Sequence, residues 1–438
     1  MKNKMKVKNI KQASKTTLSI HGLGDTPAWE FGHHLIPPMT ASTTFRLQSL
    51  KRGAQGFIDF AQGPQEKTKG SKDKSPILIY DRLAEPTTLM LEEQMAMLEN
   101  AEIALSFGSG MGAITTSLLA MLGKGQKVVA HRTLYGCTHS LLTHWLPKLG
   151  IETEQINMND FKDLDRVLLN PQVRILYYES LSNPSLELID IEPLVKKVKK
   201  ANLHRKLENQ VLVIVDNTFP TPRGHRPLEW GADMVIQSLT KNISGFGTEM
   251  GGAIMTSKKY YNALSIARKD FGAVITPYAA WHILVYGIST QSMRFDQQTQ
   301  NSLKIAKFLE KHPKVERVIY PGLKSYYDFK LAKKYLKSPE GQFAPGTMMS
   351  FFVKGNMKTC EKFIDDVAQN SYAITLAVSL GLNKTLIEVP GYMTHSGIPE
   401  KDHKMTALDP RMIRLSVGLE SVEDLISDLS NALNRLKI

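Results

Sequence analysis

Two charged residues stand directly after neighbouring apolar runs of the sequence. Asp216 ends 211-VLVIVD-216, and Lys241 follows 234-MVIQS-238. A carboxylate at a strand end can keep a heterocyclic nitrogen protonated, and an amine partly removed from water becomes nucleophilic. Each residue alone has an ordinary explanation, a turn aspartate or a solvated surface lysine. Their combination indicates a site in which a nitrogen heterocycle lies between the aspartate and a reactive lysine.

Groups that suit a phosphate accompany this pair. Ser238 and Thr240 lie just before the lysine, and their hydroxyls can donate hydrogen bonds to a phosphate. In 107-FGSGMGAITTSLLAML-122 a glycine-rich turn opens an apolar helix and presents the backbone N–H groups of Gly110 and Met111 to an anion. Such turns also serve tight packing. Donors for a phosphate, a carboxylate for a ring nitrogen and a reactive amine together predict pyridoxal 5'-phosphate (PLP) as the cofactor.

The apolar pattern from about Tyr80 to Gly252 alternates between helix and strand. A helix is predicted over 89-LMLEEQMAMLEN-100, and buried strands over 127–130, 173–179, 211–216 and 234–238. Such alternation indicates an α/β fold with a mostly parallel sheet covered by helices. Ligands of such sheets lie beyond the carboxyl ends of the strands, where Asp216 and Lys241 stand.

After about Ser292 the pattern changes. It predicts helices over 301–312 and 421–437 and short strands over 348–353 and 412–417, which together indicate a smaller α+β domain.

Three parts of the chain are therefore expected. They are an N-terminal arm with a polar insertion (1–84), a PLP-binding large domain (85–292) and a C-terminal α+β domain (293–438). The insertion covers 52–75, and its segment 61-AQGPQEKTKGSKDKS-75 is too polar to bury much apolar surface. Its position before Tyr80 suggests an effect on a subunit interface or on the entrance to the site.

Composition narrows the class of protein. Hydrophobic residues make up 42% and charged residues 22%, and no apolar run approaches the roughly 20 residues that span a bilayer, so no membrane is expected. Cys137 and Cys360 match neither a disulfide framework nor a zinc site, so no metal is expected. The net charge of +13 is densest in the lysine-rich start, which favours a solvated tail over a nucleic-acid site. That start resembles no signal peptide, and a cytoplasmic location is expected.

Seven motifs in order carry a family resemblance. They are YDRLAEPT, SFGSGMGAI, LYGCTH, YESLSNP, VDNTF, SLTKNISG and MIRLSVGLE, between about Ile36 and the C-terminus. This set resembles the Cys/Met-metabolism PLP-dependent family, which contains cystathionine synthases and lyases, methionine γ-lyases and homoserine-ester sulfhydrylases. The resemblance implies the PLP-dependent transferase architecture of fold type I. It also implies a homotetramer, a dimer of catalytic dimers whose active sites are shared between chains.

The resemblance assigns cofactor contacts. Lys241 would hold PLP as a Schiff base, Asp216 would face its ring nitrogen, and Asn183 would hydrogen-bond its phenolic oxygen. Tyr80 and Arg82 match positions that reach the phosphate in the neighbouring subunit, and a guanidinium suits that task because it binds phosphate with two donors. This chain reads Leu-Ala-Glu-Pro where many relatives have a Gly-Asn-Pro form, which leaves the path of that loop open.

The resemblance also assigns substrate contacts. Tyr135 would stack on the cofactor ring and use its phenol to protonate or activate the leaving sulfur. Arg414 would bind the α-carboxylate of an amino-acid substrate, and the charge it places within an apolar strand requires a partner or ligand. Ser379 would face the substrate, and 390-PGYMTH-395 resembles a later active-site segment. As isolated motifs, Tyr135 is equally typical of a core position, and Ser379 and the segment 390–395 are typical of turns.

Two positions bear on the choice of reaction. Val378 stands where many cystathionine γ-lyases have glutamate, and Cys137, a candidate substrate contact, is shared with methionine γ-lyases. An apolar position favours a thioether tail over a charged one. The resulting prediction is γ-elimination from L-methionine or homocysteine to 2-oxobutyrate, ammonia and a thiol.

Other functions stay open at this point. Within the family they are γ-replacement on an O-acetyl- or O-succinylhomoserine, by a sulfhydrylase or a cystathionine γ-synthase, and cleavage of cystathionine. Outside it, a basic scaffold or nucleic-acid-binding protein would bind polyanions in a salt-sensitive way. The pair Asp216 and Lys241 argues against that last alternative.

Overall fold

The structure of the protein is a computed structural model. The structure describes residues 13–22, 34–62, 77–393 and 409–437. The chain divides into two compact units. The first contains Met1–Met121, Ile236–Thr240 and Thr248–Thr290, and the second contains Leu122–Val235, Lys241–Gly247 and Gln291–Ile438. The three-part division at residues 84 and 292 stays a prediction.

The strands and helices of the described residues are numbered in chain order. The strands are β1 Ile103–Phe107, β2 Lys127–His131, β3 Glu152–Ile156, β4 Val173–Glu179, β5 Leu212–Asp216, β6 Met234–Gln237, β7 Gly252–Thr256, β8 Val315–Ile319, β9 Met348–Val353, β10 Ile374–Leu376, β11 Thr385–Glu388 and β12 Ile413–Ser416. The helices are α1 Lys15–His21, α2 Leu50–Gln62, α3 Pro86–Glu99, α4 Gly110–Met121, α5 Gly136–Ser140, α6 Phe161–Leu168, α7 Ile191–Asn202, α8 Thr221–Gly224, α9 Tyr261–Phe271, α10 Pro277–His282, α11 Ser289–Lys311, α12 Phe329–Tyr335, α13 Met357–Asn370 and α14 Val422–Arg435.

In the first unit, strands β1 and β7 pair antiparallel, with Phe107 opposite Gly252. Helix α4 begins three residues after β1, at Gly110. Both glycines stand where the backbone passes close to another segment, because a Cβ on Gly252 would overlap the carbonyl of Ser109 and one on Gly110 would lie 2.8 Å from Cβ of Ser238. Glycine therefore allows the turn before α4 to pack tightly, next to the serine predicted to bind phosphate.

In the second unit, four strands form a parallel arrangement in the order β3-β2-β4-β5. The side chains of β2, β4 and β5 are largely apolar and buried, as expected for strands covered on both faces, whereas β3 at the end of the order is mostly polar and partly exposed. The register of β4 and β5 places Glu179 opposite Asp216, so two carboxylates lie at the same carboxyl edge. The predicted α/β class with a mostly parallel sheet is confirmed, and the antiparallel pair β1 and β7 was not foreseen.

The C-terminal part of the second unit contains a separate sheet in the order β10-β11-β12-β9-β8. Helices α13 and α14 contribute buried apolar residues to its core, including Phe363 and Leu429. The predicted smaller α+β region is confirmed. Strands β11 and β12 pair antiparallel with Glu388 opposite Arg414, which brings an acidic and a basic residue together inside this sheet.

The start of the polar insertion is helical. Helix α2 covers Leu50–Gln62, with its buried Gly53 close to Leu47 and its buried Gly56 close to Ile77 and Ile79. The prediction of a polar insertion from residue 52 overlooked this helix, because its glycines and charged residues obscure the apolar face. Residues 63–75 of the insertion lie outside the described residues. Within the part of the chain that the structure describes, no helix is long and apolar enough to cross a membrane.

Candidate active site

Lys241 lies in the second unit, in the turn that follows β6. Its Nζ donates a hydrogen bond to Oγ of Ser379 at 2.8 Å. Burial and the nearby charge of Arg414 lower the pKa of Lys241. Ser379 has a φ of +87°, a conformation that side-chain-bearing residues rarely adopt and that often marks functional sites. The lysine is therefore partly desolvated, as the sequence predicts for a nucleophilic amine.

Arg414 connects several residues beside this lysine. Its guanidinium forms an ion pair with Glu388 at 2.9 Å and donates to Oδ1 of Asn183 at 2.9 Å and to the carbonyl of Ser379 at 2.8 Å. The side chains of Arg414 and Glu388 are almost fully buried, and burial lowers the pKa of Arg414. Because Asn183 uses its oxygen as an acceptor here, its NH₂ group is the donor that it offers to a ligand.

Asp216 lies at the carboxyl end of β5. Its Oδ1 accepts the backbone N–H of Thr218 at 2.9 Å, and its Oδ2 accepts the hydroxyl of Tyr177 at 3.5 Å. Burial raises the pKa of Asp216, and no cationic side chain among the described residues forms an ion pair with it. A partly buried carboxylate with neutral donors only is suited to a cationic ring nitrogen.

Glu179 is a site residue that the sequence analysis missed. Its Oε1 accepts the backbone N–H of Tyr135 at 2.6 Å, and its Oε2 accepts that of Asn183 at 2.8 Å. Burial and the neighbouring Asp216 raise the pKa of Glu179. Its position in the sequence could have indicated it. Glu179 ends β4 within the motif YESLSNP, four residues before Asn183, and Asp216 ends the neighbouring strand β5.

Tyr135 and Cys137 lie at the start of helix α5. The thiol of Cys137 donates to the hydroxyl of Tyr135 at 3.3 Å. Burial raises the pKa of Tyr135, with a further contribution from Cys137. The phenol is thus protonated at neutral pH, while the cysteine is exposed.

The residues predicted to bind phosphate lie in the first unit. Gly110 begins helix α4 with Met111 next to it, and Ser238 is the serine that approaches Gly110. The hydroxyl of Thr240 donates to the carbonyl of Gly251 at 3.2 Å and accepts its N–H at 3.0 Å. A phosphate would have to share the Thr240 hydroxyl with these backbone groups.

Tyr80 and Arg82 also belong to the first unit. Arg82 donates to the carbonyl of Lys269 at 2.8 Å, and its guanidinium lies 5.5 Å from the ring centre of Tyr80. Tyr80 is exposed. The departure from the Gly-Asn-Pro form has a structural counterpart, because Glu85 caps helix α3 by accepting the N–H of Thr88 at 3.0 Å.

Direct hydrogen bonds link Lys241, Ser379, Arg414 and Asn183 into one network. Glu179 extends it from Asn183 to Tyr135, and Asp216 lies beside Glu179 at the sheet edge. Thr394 and His395 of the predicted segment 390–395 lie outside the described residues. No group of three His, Cys, Asp or Glu side chains in the described ranges could hold a metal ion.

These residues fit PLP. In the second unit, a carboxylate with no cationic partner among the described residues and an amine with a lowered pKa match the ring nitrogen and the carbonyl of PLP. In the first unit, a glycine turn at the N-terminus of α4 suits a phosphate. Fold and site thus define a PLP-dependent enzyme of fold type I. The model of the family "Cys/Met metabolism PLP-dependent enzyme" matches residues 16–434, and the chain belongs to that family.

Named relatives carry out several related reactions. An L-methionine gamma-lyase of Fusobacterium nucleatum subsp. polymorphum is 37% identical over 406 residues, which cover 92% of this chain and 94% of that protein. An O-acetyl-L-homoserine sulfhydrylase of Leptospira meyeri is 33% identical, with 82% of this chain and 86% of that protein covered.

A solved structure is similar over nearly the whole chain. It is a putative O-acetylhomoserine (thiol)-lyase from Campylobacter jejuni subsp. jejuni NCTC 11168, which carries a pyridoxyl-lysine monophosphate. Its TM-score is 0.83 and its identity 29%, over 96% of this chain and 100% of that chain.

Proposed function

We propose that the protein catalyses γ-elimination on a sulfur amino acid. With one water, L-methionine would give 2-oxobutyrate, ammonia and methanethiol, and homocysteine would give 2-oxobutyrate, ammonia and hydrogen sulfide. The observation that carries this proposal is the pair Tyr135 and Cys137, in which a protonated phenol contacts a thiol. The apolar Val378, which is 54% exposed next to Ser379, adds to it because it suits a thioether tail. The similarity to L-methionine gamma-lyase supports the same reaction.

Lys241 and Asp216 would hold the cofactor and use its chemistry. When bound, PLP supplies an electron sink for charge at the substrate α-carbon. Asp216 would keep its ring nitrogen protonated, and Lys241 would bind its carbonyl carbon. The lowered pKa of Lys241 favours the neutral amine, the form that can accept the α-proton of the substrate. Ser379 would orient that amine through the bond from Nζ to Oγ.

Arg414 would bind the substrate α-carboxylate, and Asn183 would donate its NH₂ group to the phenolic oxygen of PLP. Glu388 compensates the buried charge of Arg414, so the arginine is held in place before a carboxylate arrives. Its two further hydrogen bonds fix the plane of the guanidinium relative to Ser379 and Asn183.

Tyr135 would stack on the cofactor ring and donate its proton to the leaving sulfur. The raised pKa of Tyr135 supports this role, because the phenol stays protonated until a more basic atom is placed beside it. Cys137 would line the same side of the substrate through its contact with that phenol.

The phosphate would lie at the N-terminus of α4, with the N–H groups of Gly110 and Met111 and the hydroxyls of Ser238 and Thr240 as donors. Tyr80 and Arg82 would reach the phosphate of a neighbouring subunit, in a homotetramer built from catalytic dimers. The exposure of Tyr80 is consistent with such a contact. A cytoplasmic location is part of the same proposal.

A second candidate is γ-replacement on an acylated homoserine. The similarity to O-acetyl-L-homoserine sulfhydrylase favours it, and its cofactor contacts would be the same. The two reactions differ in whether a thiol enters after the γ-substituent leaves, so competition between substrates separates them. Cystathionine synthesis and cleavage are separated in the same assay by adding cysteine or cystathionine.

The first experiment supplies L-methionine to the PLP-loaded protein without an added nucleophile. We expect equal amounts of 2-oxobutyrate and methanethiol, and loss of both in Lys241→Ala. Lys241→Arg is the matched control, because it keeps a cation but cannot form the same covalent link. Absence of product from a protein with a normal cofactor spectrum would contradict γ-elimination and favour γ-replacement. Unchanged turnover in Lys241→Ala would contradict the assignment of the lysine.

A further inference from the structure

Helix α11 presents a row of buried polar side chains that the proposed reaction does not use. The row consists of Gln291, Arg294, Gln298 and Asn301, all of them at most 3% exposed, and is called the polar stripe below. Their spacing of three, four and three residues places them on one face of the helix. Burying polar groups is unfavourable unless they are hydrogen-bonded, so the partners of this row indicate what it does.

The centre of the stripe holds the turn that follows Lys241. The two terminal nitrogens of Arg294 donate to the carbonyls of Asn242 at 2.9 Å and Ile243 at 3.0 Å. The turn closes through Gly245, whose N–H donates to the carbonyl of Lys241 at 2.8 Å. Gly245 has a φ of +76°, and a Cβ there would overlap the guanidinium of Arg294.

Gln298 joins this turn to the loop that carries Ser379. Its oxygen accepts from Nδ2 of Asn242 at 2.9 Å, and its nitrogen donates to the carbonyl of Leu382 at 2.6 Å. The same two segments also meet directly, because the N–H of Asn383 donates to the carbonyl of Gly245 at 2.8 Å.

Asn301 connects the stripe to the segment that directly follows strand β12, the strand that carries Arg414. Its Nδ2 donates to the carbonyl of Glu420 at 3.1 Å, with a longer contact of 3.4 Å to that of Gly418. One face of one helix therefore contacts the segments that present the lysine, the serine and the arginine of the site.

We propose that the polar stripe is a positioning element that holds Lys241, Ser379 and Arg414 in register with one another, with Arg294 at its centre. A planar guanidinium can bind two successive carbonyls at once and thereby fix the orientation of the turn, which a lysine ammonium cannot do. A site supported by buried side chains of a helix is held more closely than one supported by loops alone. The inference rests on the proposed roles of these three residues.

The test compares Arg294→Lys with Arg205→Lys in the holoenzyme. Arg205 is a matched control, because it also binds backbone carbonyls, those of Leu168, Asn170 and Val173, at a distance from the lysine turn in sequence. The measurements are amide hydrogen exchange without substrate, the pH titration of the visible cofactor absorbance, and kcat with L-methionine.

We expect faster exchange at residues 241–247 and 379–383 in Arg294→Lys, a shifted absorbance titration, and a kcat lower by roughly 100-fold with a smaller change in KM. Arg205→Lys should change none of these. If Arg294→Lys and Arg205→Lys show the same exchange rates at residues 241–247 and at residues 379–383, the proposal is overturned, whatever the thermal stability of the two variants.

Two provisions keep the test decisive. If Arg294→Lys does not fold, Gln298→Met, of similar size, should still accelerate exchange at both segments, and unchanged exchange there would overturn the proposal. Hydrogen exchange is measured without substrate. If the proposed reaction is wrong, activity with L-methionine is absent in the wild type as well, but the exchange rates still test the role of the polar stripe.

Discussion

Glu179 shows how one side chain can order two others. Its carboxylate accepts the backbone N–H groups of Tyr135 and Asn183, which come from different loops at the edge of the parallel sheet. The Tyr135 phenol and the Asn183 amide therefore depend on Glu179 for their placement. Burial and the neighbouring Asp216 both disfavour the charged form of Glu179, which raises the pKa of Glu179.

Glu179→Gln tests this dependence. A glutamine offers one acceptor and one NH₂ group, so one of the two N–H donors loses its partner, which we expect to cost about 1–3 kcal/mol of unfolding free energy. We also expect a kcat lower by roughly tenfold or more, because Tyr135 and Asn183 shift. Chemical denaturation and steady-state kinetics measure the two effects.

Glu187→Gln is the control for the loss of a charge, since Glu187 contacts His131 and Arg132 instead. Equal kcat values in the two variants would contradict a role of Glu179 at the site.

Val378→Glu tests which tail the site accepts. A carboxylate beside Ser379 can pair with the distal amino group of cystathionine, whereas a thioether gains nothing from it. We expect the ratio of kcat/KM for cystathionine to that for methionine to rise by roughly tenfold or more. Val378→Gln, of similar size without the charge, is the control. An unchanged ratio in the glutamate variant would show that position 378 does not contact the substrate tail.

Helix α3 begins with a capping residue whose charge depends on pH. Glu85 is buried among Thr40, Thr87 and Thr88, and burial, with a contribution from Asp81, raises the pKa of Glu85 to about 7. An acid whose pKa is raised by folding is favoured in its neutral form. Its ionisation therefore lowers the free energy of unfolding as the pH rises from the pKa of Glu85 in the unfolded chain to its pKa in the folded protein.

The pH dependence follows from this sign. Between about pH 4.5 and 7 we expect the wild type to lose stability relative to Glu85→Gln, with no further divergence above pH 8. Thermal unfolding of both proteins across this range measures the difference. Glu102→Gln serves as a control, because Glu102 accepts the N–H of Lys258 outside the capped turn. If the thermal stability of the wild type and of Glu85→Gln changes with pH in the same way, the raised pKa assigned to Glu85 is contradicted.

Helix α11 illustrates why element boundaries were harder to predict than element types. The apolar pattern predicted a helix from residue 301, whereas the structure begins it at Ser289. Its N-terminal half buries Gln291, Arg294 and Gln298 beside the apolar Phe295, so the usual apolar periodicity is interrupted there. Only the packed structure supplies the carbonyls that make those polar residues acceptable inside the protein.

At the scale of the whole molecule, the central question is whether each site is shared between subunits. If Arg82 serves the neighbouring site, mixing Lys241→Ala with Arg82→Ala subunits creates dimers in which one site carries both changes and the other carries none. We expect recovery to about a quarter of wild-type activity in an equal, freely exchanging mixture. The measurement is 2-oxobutyrate release after the inactive variants are mixed and re-equilibrated.

Mixtures of each variant with itself are the control. Failure to recover activity, with mixed dimers verified by mass, would place Arg82 at the site of its own chain.

The sequence by itself determined the family, the α/β class and the residues around Lys241, because short motifs and strand periodicity depend on local order along the chain. It could also place Asp216 at a strand end. Tertiary structure decided which groups meet: Glu179 with Tyr135 and Asn183, Arg414 with Glu388, and the polar stripe with three separate segments. These contacts join residues far apart in the sequence, and their hydrogen bonds depend on three-dimensional geometry that no local pattern encodes.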